Sequence, residues 1–211
     1  AMITPWNFPL HQIIGKVAPA IAAGCTMVLK PSKEAPLNAF VLADILDEIG
    51  LPNGVFNLIS GHGREIGETL ASHPDVDMVS FTGSTVTGKR FLGYSGESNA
   101  KEIVLEMGRK NPAIVMDDAE NLDRVAAHIV QGAFWNMGEN CSATSRLIVH
   151  RDVKEALLSR IEAHAREWVV GDPLDADLDG DGWRAANDCD DLDYDVNPGV
   201  DEICGDAIDN D

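Results

Sequence analysis

The sequence predicts an α/β fold built on a parallel sheet and followed by a short, irregular acidic tail. Strand-like segments alternate with helix-like segments of 8 to 17 residues as far as about residue 171, as is typical of βαβ units. The charge is uneven. Residues 176–211 hold 13 acidic residues and one basic residue, whereas residues 1–175 hold 22 and 15. Two unlike pieces are therefore expected, with a boundary at 172–176.

The spacing of apolar residues, together with the glycines and prolines between them, predicts the secondary-structure elements. Residues 1–5 read as part of a strand. The further predicted elements are, in order, a helix over 16–23, a strand over 26–29, a helix over 36–49, a strand over 54–59, a helix over 65–72, a strand over 78–82, a helix over 85–94, strands over 102–106 and 113–116, a helix over 122–136, a strand over 146–150 and a helix over 153–169. Gly24 and Gly50 suit helix ends, and Pro36 suits a first helical turn.

Parallel sheets bind ligands at the carboxyl ends of their strands, so the residues after each strand are candidates for a site. Three such segments carry polar or glycine residues: 30–32, 83–88 and 106–108. Each is considered below as part of a site at one edge of the sheet.

Composition excludes several classes of function. The net charge of −19 argues against nucleic acid as a partner, which would need a positive surface. The longest nearly uncharged stretch, Val17 to Leu29, is too short to span a membrane. The four cysteines form no C-x-x-C pair and the six histidines have no ligand spacing, so no zinc site is predicted.

Two readings stay open for each polar segment when it is taken alone. Gly83-Ser84-Thr85 could cradle a phosphate or merely cap a helix, and it does not match G-x-G-x-x-G. Cys141 lies in a polar, glycine-containing loop, where it could be an accessible thiol or a small buried hydrophobe. Glu106 could be a general base or a solvated carboxylate. Cys25 is expected to be a core residue.

Taken together, these segments resemble the aldehyde dehydrogenase superfamily over residues 1–175. The matching motifs are Ile3-Thr4-Pro5-Trp6-Asn7-Phe8-Pro9, Val17-Ala18-Pro19-Ala20 with Ala23-Gly24, Val28-Leu29-Lys30-Pro31-Ser32, Gly50-Leu51-Pro52 with Gly54-Val55, Phe81-Thr82-Gly83-Ser84-Thr85 with Gly88, Leu105-Glu106-Met107-Gly108, and Phe134 to Cys141. Their order and spacing also match. The resemblance implies a Rossmann-like NAD(P)-binding domain over 1–108 and the start of a catalytic domain over 109–175.

The resemblance implies oxidation of an aldehyde to a carboxylic acid. Cys141 would be the nucleophile that forms a thiohemiacetal and then a thioester. The side-chain amide of Asn7 and the backbone N–H of Cys141 would hold the oxyanion. Glu106 would activate the water that hydrolyses the thioester. The segment Cys141 to Leu147 looks most like the betaine aldehyde and aminoaldehyde branch.

The same resemblance implies a cofactor site for NAD or NADP. In it Lys30 would bond the adenosine ribose, Ser84 would meet the pyrophosphate, and Trp6 would line the cleft. The other residues expected on the cofactor side are Ser32, Lys33, Gly83, Gly88 and Gly108.

Three positions depart from the family pattern. Lys33 stands where the family usually has a glutamate, so NADP use becomes possible. Arg109 replaces a glycine, which is expected to alter the backbone near Glu106. Glu139 replaces a glutamine, and its charge is expected to raise the pKa of Cys141.

Family members are more than twice as long as the matching part, so this polypeptide is expected to have the key residues without a complete site. For the same reason the oligomeric assembly of the family is in doubt for this chain.

The acidic tail over 176–211 has the spacing of a calcium loop. Carboxylates stand at positions 1, 3, 5 and 12, a glycine at 6, and a carbonyl donor at 7. The predicted ligands are Asp177, Asp179, Asp181, Trp183 and Asp188. The alternative is a disordered acidic linker.

The tail also resembles the MopE-type metal-binding repeat of secreted bacterial proteins, which implies that Cys189 and Cys204 could form a disulfide. A catalytic thiol suits the cytoplasm, whereas such a tail suits the cell surface or the outside, so the predicted location stays unresolved. The alternative function is therefore a calcium-binding surface or interaction protein that carries an inactive dehydrogenase remnant.

Overall fold

The computed structural model describes residues 1–171, and these contain two parallel sheets. The larger sheet has five strands in the order β3-β2-β1-β4-β5, with every neighbouring pair parallel. Its strands are β1 (Met2–Ile3), β2 (Met27–Lys30), β3 (Phe56–Leu58), β4 (Met78–Gly83) and β5 (Glu102–Met107). The predicted α/β class with a parallel sheet is confirmed.

Four helices connect these strands and build two cores. They are α1 (Pro9–Ala22), α2 (Leu37–Glu48), α3 (Gly63–Ser72) and α4 (Thr85–Glu97). In the first core, Ile13 and Val17 of α1 and Leu46 of α2 pack with Leu29 of β2. The second core joins α3 and α4 to β1 and β4, and its buried rings are Phe81 and Phe91. Burying one such side chain contributes about 1.5–3 kcal/mol.

The smaller sheet pairs β6 (Asn111–Val115) with β7 (Thr144–Val149) in parallel. Between these strands run α5 (Leu122–Phe134) and a 3₁₀ turn, Trp135–Gly138; α6 (Arg151–Arg166) follows β7. The predicted domain boundary at 108/109 lies in the segment between the two sheets.

The chain divides into two compact units, residues 1–158 and 159–211. Of the second unit, residues 159–171 are described. There Arg166 donates to Glu162 one turn earlier in α6, at 2.6 Å. Within residues 1–171, every helix is too short or too polar to cross a membrane.

The structure corrects three expectations about the first two helices. Helix α1 begins at Pro9 rather than at residue 16. Cys25 was expected in the core but is exposed, because it lies in the turn that leaves α1 after Gly24, whose φ is +72°. Most of the apolar side chains that predicted α2 point outward: Leu37, Phe40, Val41, Ile45 and Ile49 are exposed.

Candidate active site

One edge of the larger sheet gathers the predicted site residues that come from its strands. Lys30 ends β2, Ser84 follows β4, and Trp6 and Asn7 follow β1. Glu106 lies near the end of β5, in register with Thr82 of β4. Because parallel strands all end at the same edge, residues distant in sequence meet there.

A tight turn carries Cys141. The N–H of Ala143 donates to the carbonyl of Asn140 at 3.0 Å, which closes the turn over 140–143. Nδ2 of Asn111, at the start of β6, donates to the carbonyl of Cys141 at 3.0 Å. Cys141 itself is half-buried. These bonds fix the backbone on both sides of the thiol.

Asn7 is held against the segment that precedes Cys141. Its Nδ2 donates to the carbonyl of Glu139 at 2.5 Å, and Nδ2 of Asn136 donates to the carbonyl of Asn7 at 2.9 Å. One N–H of the Asn7 amide is thereby used, and an amide has two. The second N–H is the donor that could meet an oxyanion.

The carboxylate of Glu106 acts on the thiol of Cys141. Burial raises the pKa of the Cys141 thiol, and a hydrogen bond to Glu106 and the charge of that carboxylate raise it further. The backbone N–H groups of Cys141 and Ser142 act in the opposite direction and lower the pKa. The predicted effect of Glu139 on this pKa is wrong, because the charge that acts on the thiol is that of Glu106.

Lys16 is a site residue that the sequence reasoning missed. Its Nζ donates to Oγ1 of Thr82 at 2.8 Å. Burial lowers the pKa of Lys16, and the negative charge of Glu106 partly offsets that shift. Nothing in the sequence singled Lys16 out, because it is one lysine on a helix that also has buried residues at Ile13 and Val17. Lys16 therefore brings a cation to the side of Glu106.

The backbone before Cys141 is unusual. Asn136, Met137 and Gly138 all have positive φ, at 53°, 57° and 74°. This region favours glycine, and each other residue held there costs roughly 1 kcal/mol or more. A Cβ on Gly138 would lie 3.3 Å from the carbonyl oxygen of Ala133. Three such residues in succession turn the chain sharply between α5 and the cysteine.

The turn after β4 is a capped helix start. Oγ of Ser84 accepts a hydrogen bond from the N–H of Thr87 at 3.3 Å, so Ser84 caps the helix, as one of the two interpretations predicted. Gly83 and Gly88 are required by packing, since a Cβ would lie 2.6 Å from the Phe81 ring and 2.5 Å from the sulfur of Met107. The cap is also compatible with phosphate binding, because one side chain satisfies only one of the free N–H groups at the start of a helix.

The end of β2 has polar groups with spare hydrogen-bonding capacity. Lys30 is 4% exposed, burial lowers its pKa, and its Nζ donates to the carbonyl of Pro31 at 2.8 Å. Thr4 lies beside it, where its N–H donates to the carbonyl of Lys30. Within residues 1–171 the buried hydroxyl of Thr4 has no hydrogen-bond partner. These groups suit a hydroxylated ligand such as the ribose of a dinucleotide.

Two other predicted cofactor residues form contacts with a neighbour in the sequence. Oγ of Ser32 accepts the N–H of Glu34 at 3.2 Å. Lys33 forms an exposed ion pair with Glu34 at 3.0 Å. Trp6 is exposed at the same edge of the sheet.

Arg109 does not distort the backbone as expected. It is absent from the positive-φ residues of the described chain, and Gly108 before it is likewise in an ordinary conformation. Its Nη1 donates to Oγ1 of Thr85 at 3.3 Å. Both residues line an open cleft of about 590 Å³ together with Gly108, Lys110, Asn140 and Cys141. The cleft thus runs from the start of α4 to the cysteine.

The predicted calcium ligands lie outside the described residues. They are Asp177, Asp179, Asp181, Trp183 and Asp188. The same holds for Cys189 and Cys204, so the calcium loop and the disulfide stay predictions from the sequence.

Comparison with known proteins decides the family. The model of the aldehyde dehydrogenase family matches residues 1–193. The chain belongs to the aldehyde dehydrogenase family. The match continues beyond residue 175, where the resemblance was expected to end, and it includes the predicted calcium loop.

Several members of the family are close in sequence or structure. An aminoacetaldehyde dehydrogenase of Pseudomonas aeruginosa is 61% identical over 174 residues, which are 82% of this chain and 35% of that protein. A γ-glutamyl-γ-aminobutyraldehyde dehydrogenase of Burkholderia cenocepacia superimposes with a TM-score of 0.77 at 48% identity, over 81% of this chain and 34% of that one.

A betaine aldehyde dehydrogenase of Staphylococcus aureus, solved in complex with NAD⁺, superimposes with a TM-score of 0.74 at 38% identity, over 79% of this chain and 32% of that one. The chain therefore spans about a third of the length of these family members.

Proposed function

We propose that this chain carries the nucleophile, the base and an oxyanion donor of an NAD(P)-dependent aldehyde dehydrogenase. The observation that carries the proposal is the fixed turn around Cys141, where Asn7 is tied to the segment just before the cysteine and the Glu106 carboxylate acts on the thiol. A thiol beside a carboxylate and an amide donor is the set that acyl chemistry on an aldehyde needs.

The first stage is addition of sulfur to the aldehyde. Glu106 takes the proton of Cys141, and the thiolate attacks the carbonyl carbon to form a thiohemiacetal. The carbonyl oxygen becomes an oxyanion, which the free N–H of the Asn7 amide and the backbone N–H of Cys141 hold. Loss of one such donor typically lowers the rate by roughly 10²–10³.

The second stage releases the acid. Lys30 and Ser84 would hold NAD or NADP, which when bound would supply the acceptor for the hydride of the substrate carbon, and a thioester would remain on Cys141. Glu106 releases the proton taken from Cys141 to solvent and then accepts a proton from a water molecule, which attacks the thioester carbonyl. The C–S bond breaks, the carboxylic acid leaves, and the sulfur regains its proton.

The cofactor would lie along the edge of the larger sheet. Lys30 would donate to ribose hydroxyls, Ser84 at the start of α4 would meet the pyrophosphate, and Trp6 would cover the inner end. The other expected residues are Ser32, Lys33, Gly83, Gly88 and Gly108. The NAD⁺ complex of the S. aureus relative favours NAD, and Lys33 leaves NADP open because it brings a positive charge to this edge. Residues 1–108 would form the cofactor domain and 109–175 part of the catalytic domain.

The substrate would be a small aldehyde that carries a nitrogen group. The relatives named for aminoacetaldehyde and betaine aldehyde favour that class. Aldehyde oxidation by the 211-residue chain itself is likewise a proposal. The same holds for its assembly into oligomers.

A protection experiment tests the nucleophile without requiring turnover. The chain is alkylated with iodoacetamide in the presence of aminoacetaldehyde, and the modification of each cysteine is measured by mass spectrometry of its peptides. The aldehyde should slow alkylation of Cys141, because a thiohemiacetal blocks the sulfur. Alkylation of exposed Cys25 provides the internal control and should not change.

Addition of NAD⁺ then tests the oxidation. The chain is expected to lack part of the site, so turnover should be slow, and any reduced cofactor that the wild-type chain forms should be absent with Cys141→Ala. The proposal would be wrong if the aldehyde left Cys141 unprotected, or if Cys141→Ala formed reduced cofactor at the wild-type rate.

The calcium-binding alternative has no support from the described residues. Its predicted ligands lie beyond residue 171, and the relatives are named as dehydrogenases. A dehydrogenase is therefore the function that the site supports best.

A further inference from the structure

The side chain of Asn140 has no role in the proposed chemistry, yet its oxygen accepts hydrogen bonds from both Cys141 and Ser142. Its Oδ1 accepts the N–H of Ser142 at 3.1 Å and the hydroxyl of Ser142 at 2.9 Å. The same oxygen lies 3.8 Å from Sγ of Cys141, which donates to it. One carboxamide oxygen therefore gathers three donors.

An oxygen in this position favours one protonation state of the sulfur. It accepts the thiol proton, whereas a thiolate would face its partial negative charge. The N–H of Ser142 has the opposite effect, since it lowers the pKa of Cys141. Asn140 also accepts a hydrogen bond from that N–H. This weakens the hydrogen bond that the N–H could donate to a thiolate.

We infer that Asn140 is a positioning residue whose side-chain oxygen holds the resting thiol of Cys141 in competition with Glu106. The inference rests on the proposed role of Cys141 as nucleophile. The thiol has a single proton and two acceptors within reach, so the proton passes to Glu106 when sulfur attacks. The turn does not depend on this side chain alone, because the bond from Ala143 N–H to the Asn140 carbonyl stays when the side chain is removed.

The charged groups that face the thiol come from several elements. Glu106 contacts it from β5, and Arg109 and Lys110 line the same cleft from the segment after β5. Lys16 of α1 lies near Glu106, and Glu139 precedes the turn. Variants at position 140 leave all of these in place, so differences among them report on that side chain.

The test is the pH dependence of iodoacetamide alkylation at Cys141 in the full chain, resolved by peptide mass spectrometry. Asn140→Ala removes the acceptor, and the midpoint should fall by about half a pH unit, as expected for loss of one weak S–H···O bond. Asn140→Asp keeps the shape and adds a negative charge, so the midpoint should rise. A residue that only shaped the turn would lower the melting temperature without moving the midpoint in the alanine variant.

Ser142→Ala is the matched control, because it removes a neighbouring hydrogen bond to the same oxygen but no acceptor of the thiol. Its midpoint should equal that of wild type. An unchanged or higher midpoint in Asn140→Ala overturns the inference, and so does a midpoint in Asn140→Asp that fails to rise. If the alanine variant does not fold, the aspartate variant decides alone. Failure of the proposed function would instead appear as aldehyde oxidation that survives Cys141→Ala.

Discussion

The environment of Cys141 favours its protonated thiol. Burial raises the pKa of Cys141, and the neighbouring carboxylate of Glu106 adds to that effect. In the proposed mechanism the nucleophile forms only when the thiol proton moves to Glu106. A raised pKa also protects the sulfur from unproductive alkylation and oxidation.

Replacement of Glu106 by glutamine should change two rates in opposite directions. Removing the charge lowers the pKa of Cys141, so its alkylation at neutral pH should become faster, with the midpoint of the pH profile shifted down. Aldehyde oxidation should fall by roughly 10²–10⁴, as is typical when a general base is lost. Glu139→Gln is the control and should leave the midpoint in place. Slower alkylation in Glu106→Gln would show that the carboxylate does not raise this pKa.

The exposed Lys33 governs the choice between the two cofactors in this proposal. Lys33→Glu should weaken binding of NADPH relative to NADH by roughly fivefold, because it replaces an attraction to the 2′-phosphate by a repulsion worth about 1 kcal/mol at an exposed site. Dissociation constants from fluorescence titration measure the ratio. Glu34→Gln breaks the ion pair with Lys33 and should shift the ratio the other way. An unchanged ratio in both variants would place position 33 away from the cofactor.

Chemical roles could be predicted from the sequence only for residues whose type is rare at such a position. A cysteine in a polar loop and a carboxylate at a strand end point to chemistry, and the structure brings Cys141 and Glu106 together. Lys16 was missed, because one lysine on a helix usually faces solvent, and only the fold shows that its neighbour is Glu106. Cys25 was misjudged because its apolar flanks say nothing about the direction of a turn.

At the level of the elements, α4 lies against β5 through Gly88. A Cβ there would come within 2.5 Å of the sulfur of Met107, whereas one at Gly93 in the same helix would meet nothing within 4 Å. The approach of helix to strand thus depends on one small residue. This contact sets the distance between the capped helix start and the strand that carries Glu106.

A pair of alanine variants measures this contact. Both changes remove a helical glycine, which by itself stabilises a helix by about 0.5–1 kcal/mol. Gly88→Ala should unfold at lower urea than Gly93→Ala, with a difference in unfolding free energy of about 1–3 kcal/mol from overpacking. Equal stabilities would mean that Met107 moves aside without cost.

The order of elements was predictable, and their ends were not. The alternation of helical and strand-like apolar spacing predicted every helix of the described chain. However, α1 begins seven residues before its predicted start. Pro9 at the first turn and the buried Ile13 and Val17 carry the helical spacing, but the helix was predicted to begin only at residue 16. In α2 the apolar spacing was correct and the buried face was not, because spacing alone does not say which side faces the sheet.

At the scale of the whole molecule, the chain combines a dehydrogenase fold with a strongly acidic end. The family match reaches residue 193 and so covers part of that end. Residues 177–188 have the spacing from which the sequence predicts a calcium site.

A calcium titration tests this loop. Tryptophan emission of the full chain should change as calcium reaches millimolar concentrations, since Trp183 lies at position 7 of the loop. Asp177→Asn with Asp179→Asn should abolish the change, and Trp183→Phe should remove the signal while calcium binding persists by calorimetry. A flat emission curve and no heat in the unaltered chain would leave the acidic end as a solvated segment.

The exposed position of Cys25 has a practical consequence for handling this protein. Without reductant, two chains can join through their Cys25 sulfurs while the half-buried Cys141 stays reduced. A species of doubled mass on a non-reducing gel that disappears in Cys25→Ser would then report air oxidation during storage and say nothing about native assembly. Measurements of molecular mass are best made on Cys25→Ser, in which the turn after Gly24 keeps its shape and loses its stray reactivity.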